Sequence, residues 1–578
     1  MLRIRTRSII VATYILTTLV PPGWAAAPAP VKAEHGMVVT AQKLASEAGI
    51  EVLKSGGNAV DAAVAVGYVL SVVYPTAGNI GGGGFMTIRM ADGRETFLDF
   101  RERAPGKAYK TMYLDGEGKV IPGLSTQGYL AVGVPGTVAG LEYAREHYGT
   151  KPRRALMTRA INLAREGFLL EQGDATILAS GARKLGKDKA AAAIFLKPDG
   201  SAPKPGEKLV QPDLAKALDA IASEGQTAFY KGAIAQKIVD ASNAHGGLLA
   251  MEDFASYQVR ERKPVRCNYR GYAIISSPPP SSGGVILCEI LNILEAYPLG
   301  HLGYHSADSV HLMVEAMRHA YADRNSALGD PDFVKNPVAT LLDKSYAAKI
   351  RTEISPYRAG KSADVTPIAA ESAETTHYSI VDAEGNAVSV TYTLNGAFGT
   401  GIVAPGTGIL LNNEMDDFTA KPGTANLYGL VQGEANSVEP GKTPLSSMSP
   451  TIVTRDGKLF MVIGSPGGAR IITITLEAIL NVVDHGMNIQ EAIDAPRLHH
   501  QWLPDKVFME PYALSGDTLR ILAAMGHDVS IDPNWTIWGQ SAGILVGGED
   551  VADIESGKGS RLNGAIDSRA IAGAAVGY

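Results

Sequence analysis

The chain has 578 residues, of which 45% are hydrophobic and 19% are charged, as is usual for a globular protein with a large core. Its formal net charge is −6 at neutral pH, and it is −9 without the three arginines of residues 1–27. This balance argues against nucleic acid and anionic membranes as partners, because phosphate groups are bound by clustered lysine and arginine. No repeat or linker divides the sequence, so we expect one folded unit.

Residues 1–27 have the pattern of an export signal. Three arginines precede the apolar stretch Ile9 to Val20, and Ala25 to Ala27 offer a small-residue cleavage site. The apolar stretch is shorter than the roughly 20 residues that cross a bilayer, although an uncleaved anchor is the alternative. We expect a periplasmic or secreted protein without stable membrane insertion.

Two cysteines, Cys267 and Cys288, are present. They could pair in an exported protein, but two cysteines do not make a disulfide framework, and the sequence leaves their pairing open. No CxxC or HExxH pattern accompanies them, so no zinc site is expected. The sequence implies no metal and no organic cofactor.

The first predicted elements lie between Gln42 and Tyr74, where the pattern indicates two alanine-rich helices. Gly56 and Gly57 separate them, and Asn58 is a candidate N-cap for the second helix. Four glycines, Gly81 to Gly84, then open a predicted strand. They do not fit GxGxxG, so we interpret them as positions where backbone approaches backbone or a ligand closely.

Residues 137–350 are mostly helical in pattern, with loops at 197–208 and 277–284. From about 352 to 374 the composition changes to serine, proline, glycine, alanine and glutamate, which is typical of exposed and weakly ordered chain. This segment ends directly before a pair of threonines.

A hairpin is predicted from Thr375 onwards. Two β-branched, alternating segments, Thr375 to Val381 and Ala387 to Asn395, are joined by a turn of Asp, Ala, Glu, Gly and Asn. In the second segment Thr391, Thr393 and Asn395 share one polar face. Such a strand is expected either at a sheet edge or beside a site.

An exposed acidic segment directly before Thr375 suggests a cleavage point. A chain-terminal threonine carries its own base, because its α-amine, of reference pKa about 7.7–8.0, lies within reach of Oγ. The Oγ of Thr375 would attack the carbonyl of Glu374, and water would resolve the resulting ester. From pattern alone, however, paired threonines are more often simple strand formers.

Several short motifs follow one another along the chain. They are Gly78-Asn79-Ile80-Gly81-Gly82-Gly83-Gly84-Phe85, Asp99-Phe100-Arg101-Glu102, Tyr321-Ala322-Asp323-Arg324, Thr375-Thr376-His377-Tyr378-Ser379, Asn386-Ala387-Val388, Thr391-Tyr392-Thr393-Leu394-Asn395, Phe398-Gly399-Thr400-Gly401, Leu411-Asn412-Asn413-Glu414-Met415-Asp416-Asp417-Phe418, Pro444-Leu445-Ser446-Ser447-Met448-Ser449-Pro450 and Gly464-Ser465-Pro466-Gly467-Gly468. In this order, and from about residue 35 to the C-terminus, the sequence resembles the γ-glutamyltranspeptidase family.

The resemblance implies catalytic roles. The precursor would cut itself between Glu374 and Thr375, and Thr375 would then form a γ-glutamyl-enzyme ester. Thr393 would hydrogen-bond Thr375 and help to activate it. Backbone N–H groups of Gly467 and Gly468, which precede a predicted helix, would stabilise the oxyanion.

It also implies a pocket for the zwitterionic donor. Arg101 would hold the α-carboxylate in a bidentate fork, and two hydroxyls would assist it. The resemblance gives the remaining roles to Ser446 and Ser447 as hydroxyl donors, to Asn395, Glu414 and Asp417 at the ammonium, and to Tyr428 in a lid loop from Lys421 to Thr443.

The implied fold is α+β, a four-layer αββα N-terminal nucleophile hydrolase. A large subunit of residues 28–374 and a small subunit of 375–578 would form an interleaved heterodimer. Glutathione and its γ-glutamyl conjugates are the expected donors. Amino acids, dipeptides or water are the expected acceptors.

Other readings of the sequence remain open. One alternative is a glutaryl or cephalosporin-type acylase on the same scaffold, although its substrate lacks the α-ammonium that Asp417 would bind. A processed but inactive surface protein is a further alternative. Gly539 to Gly543 fit GxSxG, but no histidine follows the serine, and the next residues predict a strand where that motif needs a helix. His499 and His500 are interpreted as structural.

Overall fold

The computed structural model describes residues 27–365, 376–424, 433–532, 538–557 and 559–578. The predicted export signal up to residue 26, the cleavage pair Glu374 and Thr375, and the lid residue Tyr428 lie outside the described residues. None of the described helices is both long enough and apolar enough to cross a membrane.

The helices of the described ranges are α1 Lys43–Lys54, α2 Ala59–Val73, α3 Thr137–Tyr148, α4 Arg153–Glu166, α5 Gln172–Leu185, α6 Lys189–Phe195, α7 Pro212–Glu224, α8 Gln226–Tyr230, α9 Ala233–Ala244, α10 Met251–Ala255, α11 Gly283–Leu294, α12 Leu299–Leu302, α13 Ala307–Ala327, α14 Val338–Leu341, α15 Lys344–Glu353, α16 Ile471–Val483, α17 Ile489–Asp494, α18 Gly516–Met525 and α19 Val551–Ser556.

The strands of the same ranges are β1 Val31–Ala33, β2 Met37–Thr40, β3 Gly83–Arg89, β4 Glu95–Phe100, β5 Phe168–Leu169, β6 Lys208–Leu209, β7 Arg260–Arg262, β8 Val265–Tyr269, β9 Tyr272–Ser276, β10 Thr376–Val381, β11 Ala387–Thr393, β12 Val403–Ala404, β13 Ile409–Leu410, β14 Thr451–Arg455, β15 Lys458–Gly464, β16 Leu498–His499, β17 Val507–Met509, β18 Val529–Ile531, β19 Ala542–Val546, β20 Leu562–Ile566 and β21 Ala574–Gly577.

Two antiparallel sheets organise the chain. The first has the strand order β21-β2-β10-β11-β3-β4-β7, and the second has the order β1-β20-β19-β15-β14-β9-β8. Strands β10 and β11 contact β15 of the second sheet, while α1, α2 and α3 contact strands of the first sheet. Helices α11, α16 and α17 contact strands of the second sheet. The fold is therefore a mixed α/β fold with antiparallel sheets.

The N-terminal predictions are confirmed. Helices α1 and α2 flank the predicted break, and Asn58 caps α2 by accepting a hydrogen bond from the backbone N–H of Asp61. The glycines lie where backbones meet, since a Cβ on Gly82 would stand 1.9 Å from the carbonyl oxygen of Thr393. No other residue fits there, and this close approach places β3 against the end of β11.

The predicted hairpin is also confirmed, with Thr376 paired to Tyr392 across β10 and β11. One of the two expectations for its polar face is wrong, because β11 lies between β10 and β3 and not at an edge. The polar face is turned towards the second sheet, where the Ser389 hydroxyl donates to the carbonyl of Ile463.

The prediction of helix across residues 137–350 is wrong for β8 and β9, which are paired strands of the second sheet. Five residues per strand give too short an alternation to stand out beside the long helical patterns around them. Cys267 on β8 forms a disulfide bond with Cys288 on α11. The pairing that the sequence left open thus joins this sheet edge to its covering helix.

Candidate active site

The candidate site lies at one end of the first sheet. Thr393, the last residue of β11, pairs with Gly83 of β3, and Gly84 pairs with Phe100, the last residue of β4. Arg101 follows Phe100 directly, so Arg101 and Thr393 leave the sheet at the same end.

Arg101 is buried among carboxylates. Its Nη2 donates to Oδ2 of Asp417, its Nη1 lies 2.5 Å from Oε1 of Glu414, and Glu102 lies 3.9 Å from Nη1. The side chains of all four residues are fully buried. The Tyr257 hydroxyl donates to the carbonyl oxygen of Arg101 at 2.8 Å and fixes its backbone. One cation therefore faces three acids in a site without bulk water.

These groups shift one another's pKa values. Burial lowers the pKa of Arg101, but Glu414, Asp417 and Glu102 raise it by more, so the guanidinium stays charged. Burial raises the pKa of Asp417 well above its usual range, against the opposing charge of Arg101. Burial beside Glu414 also raises the pKa of Glu102 well above its usual range. The charge of Arg101 opposes this rise, yet the net direction for the pKa of Glu102 is upward, which favours its protonated form relative to a free carboxyl.

Asn395 connects this charge cluster with Thr393. Its backbone N–H donates to Oγ1 of Thr393 at 2.8 Å, and its Nδ2 donates to the carbonyl of Asn413, the residue before Glu414. Asn395 has a φ of 71°, a left-handed conformation that asparagine tolerates better than most residues. The turn places an amide between the strand end and the acids.

Two serines form another wall. The segment that carries Ser446 and Ser447 begins at Pro444, whose carbonyl lies 3.5 Å from Nε of Arg101. The Ser447 hydroxyl accepts a hydrogen bond from Nη2 of Arg324 at 2.7 Å. Burial lowers the pKa of Arg324 to about 10, with Tyr321 and Asp417 opposing the shift, so this second guanidinium is charged at neutral pH.

The two predicted oxyanion glycines form the turn between β15 and α16. Gly467 and Gly468 have φ values of 138° and 62°, and a 3-10 turn from Gly468 to Arg470 leads into α16. The predicted helix start is thus confirmed. The Tyr321 hydroxyl donates to the carbonyl of Ala469 at 2.5 Å. Helix α13 therefore contacts this turn through Tyr321 and contacts Ser447 through Arg324.

A cavity of about 1150 Å³ adjoins the charge cluster through Asn413. Asn413 accepts a hydrogen bond from the backbone of Gly396 and donates to the carbonyl of Thr126 on the cavity wall. Arg183, Lys184, Lys187 and Lys189 line the cavity together with a single carboxylate, Asp188. It therefore offers space with a net positive lining next to the site.

The structure brings together Arg101, Asn395, Glu414 and Asp417. The backbone N–H of Asn395 joins Thr393 to this group. Their substrate roles stay predictions, and so do those of the serines and glycines. Sequence reasoning gave no role to Glu102 or Arg324, although both stand in the quoted motifs. Position beside Arg101 was the only signal for Glu102, and nothing local indicates that its carboxyl is buried.

The GxSxG serine is structural. Ser541 is buried, its hydroxyl accepts a hydrogen bond from Arg497, and β19 begins at the next residue, as the strand prediction required. Both ring nitrogens of His499 are engaged by Thr473 and Gln501. Neither pattern supplies a nucleophile or a metal ligand here.

Comparison with known proteins gives consistent matches. The sequence profile of the family described as gamma-glutamyltranspeptidase matches residues 45–576. A glutathione hydrolase proenzyme of Pseudomonas sp. (strain A14) is 59% identical, with 96% of each chain covered. The glutathione hydrolase proenzyme of Escherichia coli (strain K12) is 49% identical over 95% of this chain and 93% of its own length. The crystal structure of cephalosporin acylase from Bacillus halodurans is 27% identical with a TM-score of 0.82, covering 98% of this chain and 99% of that one.

Proposed function

Because the chain belongs to the γ-glutamyltranspeptidase family, we propose that it is a proenzyme that becomes a glutathione hydrolase and γ-glutamyltransferase by self-cleavage. The observation that carries the proposal is the buried cluster of Arg101, Glu414 and Asp417 at the end of β11. A guanidinium beside carboxylates offers opposite charges to an α-carboxylate and an α-ammonium, the two groups that a γ-glutamyl donor presents.

The nucleophile in this proposal is Thr375. Thr376 pairs with Tyr392, so continuing the same register by one residue would bring Thr375 opposite Thr393. The Oγ of Thr375 would attack the carbonyl of Glu374, and the C–N bond between the two residues would break to give an ester and a free α-amine. Water would then hydrolyse the ester, which releases Oγ and the carboxylate of Glu374. That amine would then serve as the base when the same Oγ attacks the γ-glutamyl carbonyl.

The oxyanion that forms on the γ-carbonyl would be bound by backbone N–H groups of Gly467 and Gly468. The 3-10 turn and α16 that follow give this turn the positive end of a helix. The leaving amine would depart with the proton taken up by the threonine amine. Water or an amino-acid or dipeptide amine would then attack the ester and regenerate Thr375.

Donor recognition requires the acids to exchange partners. In the structure Arg101 pairs with Glu414 and Asp417. The α-carboxylate of the donor would take over part of the contact with Arg101, and the acids would instead bind the α-ammonium of the donor. Hydroxyls of Ser446 and Ser447 would assist the carboxylate, and Asn395 the ammonium. The adjoining basic cavity would receive the rest of the donor, whose far end in glutathione is a carboxylate.

A glutaryl or cephalosporin-type acylase is the second candidate, and the fold shared with the Bacillus halodurans acylase favours it. The buried carboxylate of Asp417 speaks against it, because a glutaryl chain has no ammonium to neutralise that acid. Comparing turnover of γ-glutamyl and glutaryl anilides separates the two candidates.

Architecture and location complete the proposal. The contacts of the two sheets with each other and with helices on their other sides support a four-layer αββα arrangement. We place the export signal at residues 1–27, the large subunit at 28–374 and the small subunit at 375–578, in a periplasmic or secreted heterodimer. Tyr428 would close a lid over the pocket and shield the ester from water.

The test compares the same change at two neighbouring threonines. We expect Thr375→Val to lose glutathione cleavage by at least about 1000-fold, as removal of a covalent nucleophile does. Thr376→Val also removes a buried hydroxyl, but that hydroxyl has no hydrogen-bond partner among the described residues, so turnover should change less than about threefold. Glutamate and γ-glutamyl-glycylglycine would be measured by chromatography, and equal losses in both variants would reject the assigned nucleophile.

A further inference from the structure

A second group of chemically active side chains lies far along α13 from the candidate active site. His311 and Glu315 are four residues apart on this helix, and His527 follows Gly526, the left-handed cap of α18. All three side chains are buried, and one ligand atom from each lies within 4.8 Å of the others. None of them has a part in the proposed reaction.

The hydrogen bonds around the group fix which ring nitrogens face each other. Nε2 of His311 lies 2.7 Å from the carbonyl of Ser355, which can only accept, so His311 carries its proton there. Its unprotonated Nδ1 faces Nε2 of His527 at 2.8 Å. The backbone N–H of Gly360 donates to Oε2 of Glu315. Carbonyl and amide partners of this kind hold the ligands in metal centres.

His527 has an unfilled hydrogen-bonding position. Its Nδ1 is buried and has no hydrogen-bond partner in the part of the chain that the structure describes. An imidazole binds a metal ion through an unprotonated nitrogen, so Nε2 of His527 can act as a ligand when the ring proton is on Nδ1.

Two carboxylates lie beside the two imidazoles. The buried carboxylate of Glu315 and the carboxylate of Asp505 both accept hydrogen bonds from the guanidinium of Arg318. A cavity of about 350 Å³ lined by His527 and Asp505 gives an ion access from the surface.

We propose that Nδ1 of His311, Nε2 of His527 and one carboxylate oxygen of Glu315 bind a divalent transition-metal ion of the zinc class, with water from the cavity as a fourth ligand. Ligands about 2.0–2.1 Å from a tetrahedral ion stand about 3.3 Å apart, so the two nitrogens separate by about 0.5 Å. The proton between them moves to Nδ1 of His527, so both rings stay neutral and no proton is lost.

The ion would join three parts of the chain. Glu315 and His311 belong to α13, His527 follows α18, and Ser355 and Gly360 belong to the segment that leads towards the proposed cleavage point. Metal binding would thus stabilise the end of the large subunit without contacting the reacting groups.

The experiment measures zinc bound by tag-free, full-length protein that has been stripped with a chelator and titrated with Zn²⁺. Isothermal titration and elemental analysis should give one ion per chain. Glu315→Gln and His527→Gln should each weaken binding by at least about 100-fold, because loss of an outer partner alone costs about 10- to 100-fold. His245→Gln, which removes an exposed histidine elsewhere, should leave the affinity unchanged.

Cobalt provides a readout that needs no variant. Co²⁺ bound to the unchanged protein should show the intense visible absorption of a four-coordinate ion, and Zn²⁺ should displace it. The same measurements on Thr375→Val separate this site from the proposed reaction centre. Absence of one-to-one binding, a hydrated-ion cobalt spectrum, or equal affinity in folded Glu315→Gln and His245→Gln would overturn the proposal.

Discussion

Arg101 and Arg497 are both buried beside carboxylates, yet their surroundings differ. Arg497 pairs with Asp567, and it also donates to the backbone carbonyls of Trp538 and Ile493. Asp567 accepts further hydrogen bonds from Arg569 and from the backbone of Ser541. Arg569 also pairs with Glu510, so two guanidiniums face two carboxylates there.

Around Arg101 the balance is reversed, because the acids outnumber the guanidinium that contacts them. Burial leaves the pKa of Glu102 and Asp417 raised, whereas Arg497 and Arg569 overcome burial and lower the pKa of Asp567. A balanced network stabilises the fold by itself, while an acid-rich one gains from a bound ammonium group. The comparison supports the proposal that Arg497 stabilises the fold and that Arg101 binds the donor.

Lysine in place of each arginine should lower activity in one cluster and stability in the other. Arg101→Lys keeps the charge but loses the planar fork, so kcat/KM for γ-glutamyl donors should fall by about 100- to 1000-fold, as for a loss of about 3–4 kcal/mol. Arg497→Lys should instead lower the free energy of unfolding by about 2–4 kcal/mol, with kcat/KM of the folded protein changed less than about threefold. Steady-state kinetics and urea unfolding measure both effects, and a large activity loss in both variants would remove the distinction.

Asparagine in place of each aspartate sharpens the comparison. Asp417→Asn removes the charge that would face the α-ammonium, so the preference for γ-glutamyl over glutaryl anilide should fall by about 10- to 100-fold, or about 1.4–2.7 kcal/mol. Asp567→Asn should leave this ratio unchanged, because Asp567 contacts Arg497, Arg569 and Ser541 and none of the groups proposed to bind the α-ammonium. An unchanged ratio in Asp417→Asn would contradict the assigned contact.

Stability against pH should distinguish the clusters by sign. Burial raises the pKa of Asp567, but Arg497 and Arg569 lower it by more, so its stabilisation is present above the unfolded value of about 3.9 and is lost as pH falls through the folded value. Asp567→Asn should therefore flatten the acid side of the stability curve. Unfolding between pH 3 and pH 7 measures this change, and an unaltered acid side would count against it.

Glu102 should act in the opposite direction and more weakly. Its pKa is raised in the folded protein by burial and by Glu414, so its favourable contribution is present below the unfolded value of about 4.3 and is lost as pH rises through the folded value. Glu102→Gln removes the group that titrates. On going from acid to alkaline pH, the free energy of unfolding of the variant should therefore fall by about 1 kcal/mol less than that of the wild type. A steeper alkaline decline in the variant would contradict the raised pKa of Glu102.

Local pattern predicted the elements around the site but not its charge pairing. The capped helix at Asn58, the glycine strand and the 376–393 hairpin are set by neighbours in sequence, and all three were found. The central place of β11 and the pairing of β9 with β14 depend on partners far along the chain. The contact of Arg101 with Asp417 spans 316 residues, and family resemblance, with no local signal, placed them in one pocket.

The measurement that tests the account most directly is the intact mass of the purified active protein, together with N-terminal sequencing. We predict two fragments, the smaller of which begins with Thr375-Thr376-His377-Tyr378, and a single uncut chain for Thr375→Val. Activity in a preparation that remains continuous across residues 374 and 375 would contradict the mechanism.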